Sequence, residues 1–301
     1  MIVYAVPSAG IFGSIKVAYQ FVDLLQAEGV AACIATPDGK ASGWFRSQAP
    51  VVARDWALDH LGDGDAIMFS LPHDHAELRR SGLPLFFHCQ GTDPLIDPVL
   101  RDENVAVLTC WQQAYDYVLA AGGRAPTDVG ISIAPAFHHR GELKDPHVAT
   151  HMPRRGREIA EQLAEACPDL HLVPIDGSDE ADVAQMMRRA GVYLATAEGE
   201  WFGLPALEAM AAGCVVFSVP VLGGMEFLED GINCVVGDVE HLERELATLF
   251  APARAAHWQS LRHAAIATGL RYRREAQAVK VAAFAATLPN HMRQPLGQPR
   301  A

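Results

Sequence analysis

The feature that most constrains this chain is a rhythm of short apolar runs, each broken by a glycine or proline turn and followed by helical periodicity. It begins at once. MIVYAV is apolar, PSAGIFGS breaks it, and IKVAYQFVDLLQAEG carries apolar residues at helical spacing before stopping on Gly29. VAACIAT then starts the next run, so the first forty residues form a strand–helix–strand unit, the building block of a parallel doubly wound sheet. DAIMFSL (65–71), PLFFHCQ (84–90) and VAVLTC (105–110) continue the pattern, and WQQAYDYVLAAGG reads as a helix stopped by Gly122 and Gly123.

Around ISIAPAF (131–137) the chain leaves this unit, and a polar stretch over 138–153 opens a second one. HVATHM, LHLVPI, GVYLATA, CVVFSV and NCVVG read as strands. RRGREIAEQLAEAC, EADVAQMMRRA and DVEHLERELATLF read as helices, the last capped by Asp238. One helical run is expected over about 255–287, and the Pro/Gly/Gln tail from 289 is expected to be disordered. The organisation this implies is α/β: an N-terminal Rossmann-like domain over 1–134, a second over 135–270, a C-terminal helix over 271–288 packing back on the first domain, and a tail over 289–301. Two such domains facing across a cleft would place a ligand there.

At 301 residues, the chain is comfortable for two cores, and 50% hydrophobic with 20% charged residues describes a globular protein rather than a disordered one. No apolar run approaches a membrane span. The start lacks a basic leader and flows into a strand, so it is not read as a signal peptide. A net charge of −12 argues against nucleic-acid partners. The basic cluster RYRREAQAVK (271–280) reads as a solvated helix face, with weak peripheral membrane contact as the alternative. Six cysteines (33, 89, 110, 167, 214, 234) stand singly without metal-ligand spacing, which reads as buried thiols in a reducing, cytoplasmic setting.

The chemistry concentrates in EGEWFGLPALEAMAAG (198–213). Pro205 suits the first turn of a helix and Gly213 its end. Phe202, Gly203 and Leu204 stand at the entrance, where free backbone N–H groups would meet an anion or sugar hydroxyls. Glu200 precedes the helix. Glu208 lies three residues past Pro205, about 4–5 Å along the axis, so both carboxylates can serve one small volume. A carboxylate accepts paired hydrogen bonds from vicinal hydroxyls, although acids near a helix start are also favoured by the helix dipole alone.

This stretch, with the following VVFSVPVLGGMEFLEDGINCVVGD, resembles the donor-binding segment of retaining two-Rossmann-domain (GT-B) glycosyltransferases of family 4. The two glutamates of that family fall on Glu200 and Glu208. Trp201 departs from the glycine usual there. The resemblance implies metal-independent, retaining transfer of a sugar from a nucleotide-diphospho sugar to a glycan, lipid-linked or small-molecule acceptor, with no cofactor. It implies that Glu208 binds ribose hydroxyls and Glu200 lies against the donor sugar. It also implies an Arg and a Lys near the phosphates. MPRRG offers Arg154 and Arg155, whereas the four lysines (16, 40, 144, 280) do not fall at the partner position, leaving two arginines or Lys144 as the clamp.

From the first domain, the GIFGS turn brings Gly13 and Ser14 to a helix start, and His88, in PLFFHCQGTD, matches a family histidine near the donor sugar. The catalytic candidates are therefore His88 and Glu200. His73, Asp74 and His75 are candidates for the acceptor side, and His138–His139 lacks companion metal ligands. Competing readings on the same fold are a nucleotide-sugar epimerase, a sugar phosphorylase, or a degenerate binding subunit. Intact Glu200, Glu208 and His88 argue against the last, and the shortness of the first domain argues for it. GIFGSIK lacks the G-x-G-x-x-G of an NAD site.

Overall fold

The computed structural model describes residues 1–223 and 225–293. It is an α/β protein with two all-parallel sheets. The first comprises β1 (Ile2–Ala5), β2 (Ala32–Thr36), β3 (Val51–Ala53), β4 (Ala66–Phe69), β5 (Leu85–Cys89), β6 (Val105–Thr109) and β7 (Thr127–Asp128), in the order β3-β2-β1-β4-β5-β6-β7. The second comprises β8 (Asp145–His151), β9 (His171–Pro174), β10 (Ala190–Ala195), β11 (Val215–Ser218) and β12 (Val235–Val236), in the order β12-β11-β10-β8-β9. The strand order reverses between β1 and β4 in the first sheet and between β8 and β10 in the second. In doubly wound sheets, ligands gather at the carboxyl ends of the strands beside such a reversal.

The chain divides into two compact units, Met1–Ile131 with the chain from Glu275, and Ser132–Arg274. In the first, Ile2, Tyr4, Ile34 and Met68 pack under Phe21, Leu25, Val281, Phe284 and Leu288. In the second, Val192, Leu194 and Phe217 pack with Leu163, Leu242, Trp258 and Leu261. All six cysteines are free and buried. No helix among the described residues is long and apolar enough to cross a membrane.

Local signals act as the sequence suggests at several points. The helix Gly13–Ala27 ends before Gly29, at φ +75°, and the Asp238 carboxylate accepts from His241 N–H to cap Val239–Leu246. The helical run expected over 255–287 is instead two helices, Ala255–Arg271 and Arg274–Thr287. They are separated where Ile133 N–H donates to Tyr272 O at 2.8 Å, which turns the chain out of the second unit. The expected tail is ordered at its start. Asn290–Met292 form a 3-10 turn, Met292 is buried, and its carbonyl accepts from Ala31 N–H at 2.9 Å. The rest of that tail, 294–301, lies outside the described residues.

Candidate functional site

In the second unit, β8 and β10 are hydrogen-bonded neighbours, with Val192 level with Ala149 and Tyr193 with Thr150. The segments leaving their carboxyl ends, 152–156 and 196–203, are therefore adjacent. Gly156 fastens them together. It sits at φ +74°, a Cβ there would lie 1.9 Å from Thr196 O, and Thr196 Oγ1 donates to Gly156 O at 2.7 Å. Only glycine tolerates both that backbone conformation and that approach. The arginine loop is thus held against the acidic loop, and Arg155 forms an ion pair with Glu200 while also donating to Glu198 O at 3.4 Å.

The acidic loop is itself held. Leu222 N–H donates to Glu200 O at 2.7 Å and Gly223 N–H to Trp201 O at 2.6 Å. Gly203, at φ +78°, turns the chain into the helix Leu204–Ala211, with Pro205 in its first turn and Gly213, at φ +81°, ending it. Ala206 and Leu207 N–H both return to Gly203 O, and Pro205 has no N–H. The first turn therefore offers the N–H groups of Gly203 and Leu204, fewer than a generic helix start would. Phe202 is buried, its ring 5.1 Å from that of Phe227 and 6.0 Å from that of Tyr272. It anchors the loop in the core. Trp201 is half-buried.

Glu208 is buried one turn into the helix. Its charge, with that of Glu200, reaches the fully buried hydroxyl of Tyr193 on β10. Burial first, then Glu208 and Glu200, hold that phenol well above its ordinary pKa. Both carboxylates thus act on Tyr193, Glu208 from one turn inside the helix and Glu200 from the loop before it. Tyr193, Thr196, Glu200, Pro205 and Ser218 line a crevice of about 40 Å³ at these strand ends. That is room for one or two waters, so a larger ligand lies over this floor rather than within it.

Lys144 is not part of this group. It precedes β8, at the opposite end of the strand from Arg154 and Arg155, and its buried ammonium donates to Met187 O at 2.6 Å and reaches Cys214 Sγ at 3.5 Å. Arg155, by contrast, stands at Glu200.

In the first unit, Gly13 and Ser14 are exposed at the start of their helix. His88, on β5, is completely enclosed. Its Nδ1 lies 3.0 Å from Tyr4 Oη and its Nε2 3.0 Å from Cys110 Sγ. A hydrogen bond from this ring to a sugar hydroxyl is not available in this arrangement. What His88 does support is a chain of contacts leading outward. Gln90 Nε2 donates to Tyr4 Oη at 3.1 Å and to Ser14 O at 3.4 Å, tying the buried ring to the exposed helix start. Of the acceptor-side candidates, Asp74 is buried on Arg54 at 3.0 Å and His75 bonds Asp102 at 2.9 Å, so both are engaged within the unit. Sequence reading missed Gly156, Thr196 and Tyr193. Only the glycine in MPRRG carried any signal.

With this geometry in view, residues 161–258 match the family model of glycosyl transferases group 1. No curated protein is significantly similar to the chain in sequence. Among solved structures, HepE of Anabaena, in complex with UDP and glucose, aligns with a TM-score of 0.75 at 14% identity over 95% of this chain and 99% of that one. Sucrose-phosphate synthase of Thermosynechococcus elongatus aligns with a TM-score of 0.74 at 13% identity, over 95% and 98% of the two chains. WaaG, a glycosyltransferase involved in lipopolysaccharide biosynthesis, aligns with a TM-score of 0.69 at 12% identity, over 95% and 100%. The fold is therefore the GT-B fold of two Rossmann-like units. The matched segment spans most of the second unit, site helix included, and over that segment the chain is similar to the glycosyl transferases of group 1.

Proposed function

We propose that the protein transfers a sugar from a nucleoside-diphosphate sugar to an acceptor hydroxyl, with retention of configuration and without a metal ion or other cofactor. The observation that carries this reading is the meeting of Glu200 and Arg155 at the start of the helix Leu204–Ala211, beside one strand-order reversal, with Glu208 one turn further into that helix. In this reading, the second unit holds the donor and the first serves the acceptor, a glycan, a lipid-linked sugar or a small molecule.

As the acceptor oxygen bonds the anomeric carbon, the bond to the diphosphate breaks. Negative charge develops on the departing diphosphate, whose oxygen takes the acceptor's proton, and positive charge on the sugar ring. A guanidinium and two backbone N–H groups answer the first, and a carboxylate answers the second. Arg155 exchanges its partner Glu200 for diphosphate oxygens, which it can chelate bidentately. This frees Glu200 to face the sugar. Arg154 assists at the phosphates, and Glu208 accepts from the ribose hydroxyls. Each pre-placed donor contributes on the order of 10²–10³ in rate, by analogy with oxyanion holes. Gly13 and Ser14 contribute backbone groups at the first unit's helix start, and His88 acts through Tyr4 and Gln90 to position that turn. The HepE complexes with UDP and with UDP-glucose support a uridine diphosphate donor.

The test is turnover of UDP-glucose followed by NMR, reading the anomeric configuration of the product. Glu200→Ala should lower kcat about 100-fold or more without weakening nucleotide binding, since it releases Arg155 from its partner. An inverted product, or full turnover in Glu200→Ala, would overturn the mechanism.

A further inference from the structure

The second unit has another cavity, at the opposite end of its sheet from the glutamates. It measures about 560 Å³ and lies where β8, β10 and β11 begin. Gly191 lines it, whereas Ala195, on the same strand, lines the glutamate crevice. Val192 also lines the first and Tyr193 and Leu194 the second, but no residue lines both, so the two spaces are distinct.

Its walls have two characters. Leu249, Phe250, Trp258 and Ile266 present apolar surface, while Lys144 and Arg262 bring positive charge. His139 sits beside both cations, and burial first, then the charges of Arg262 and Lys144, hold its imidazole below the ordinary pKa. One carboxylate balances this group, Glu142, and it is already committed to Arg188 at 2.7 Å and to His139 at 3.3 Å. Arg262 forms no ion pair among the described residues, and its Nε is buried with no hydrogen-bond partner. A buried donor left unpaired costs free energy that a bound acceptor would recover.

We infer that this cavity binds a small amphipathic anion, its charged head on Arg262 and Lys144, beside Ile266, and its apolar body on Phe250, Trp258 and Leu249. An apolar lining with a few convergent polar groups is the usual make-up of a small-molecule site. The unbalanced charge selects an anion over a neutral molecule of the same shape. This site stands apart from the donor site and does not depend on the function proposed above.

Octanoate, octyl phosphate and 1-octanol share a body and differ in the head, so they separate charge from apolar contact and carboxylate from phosphate. Calorimetric titration of the full chain should show one of the two anions binding at least about tenfold more tightly than octanol. Arg262→Gln should remove that advantage while its thermal unfolding and circular dichroism stay like the wild type. Should that variant fold poorly, Ile266→Glu, which sets a negative charge beside the head position, should abolish anion binding. Equal binding of octanol and both anions, no binding of any probe, or anion affinity unchanged in both variants would overturn the inference.

Discussion

At His88, both ring nitrogens are engaged inside the core, and burial draws its pKa from 6.5 down to about 3. The folded protein therefore keeps this imidazole neutral where the unfolded chain would protonate it. Because the folded value is the lower one, stability falls as pH drops below 6.5 and goes on falling to about pH 3, at about 1.4 kcal/mol per pH unit. At pH 5 the loss from this residue is roughly 2 kcal/mol. His88→Gln keeps a polar side chain without that titration. Urea midpoints at pH 7 and pH 5 should show the variant losing less stability than the wild type by about that amount, whereas equal losses would show that the buried ring is not the source. The burial was not legible in PLFFHCQ. A strand covered on both faces has no inside–outside alternation to betray which residue is enclosed. Glu200 and Glu208 were legible because their separation is a short-range property of one loop and one helix.

Among the elements, the loop 152–156 shows what short-range reading cannot reach. MPRRG announces two arginines, but the demand for glycine at 156 is set by Thr196, forty positions later in sequence. Gly156→Ala would have to move the loop away from β10, and it should cost at least about 2–3 kcal/mol in chemical denaturation. Arg155 would be carried off Glu200 in the same movement. A near-neutral Gly156→Ala would show that the two loops are not fastened there. Lys144 gives the complementary lesson. It lies only ten residues before Arg154, but the extended β8 between them carries it roughly 20 Å away. Distance in sequence therefore misleads until the strand is recognised as one piece.

For the whole molecule, the alternating apolar runs and helices made the two α/β units legible, since that rhythm admits few other architectures. The edges were less so. β3 has three residues and β7 two, too short to stand out as apolar runs. The break at Tyr272 was hidden because helical periodicity resumes directly after it, and only pairing with Ile133 marks it. The returning helix Arg274–Thr287 completes the first unit's core, with the Phe284 ring 6.1 Å from Phe21 and 5.6 Å from Phe86. Phe284→Ala should therefore destabilise the protein by about 3–5 kcal/mol, read as a lowered denaturation midpoint. A loss under about 1 kcal/mol would mean that this helix adds little to the core.

The central claim is that the second unit grips a nucleoside diphosphate through Glu208. Calorimetric titration of the full chain with UDP, GDP, ADP and dTDP in EDTA, repeated on Glu208→Ala, tests it most directly. UDP should bind selectively, and Glu208→Ala should bind it about tenfold or more weakly. Failure of all four to bind, or wild-type affinity in the variant, would contradict it.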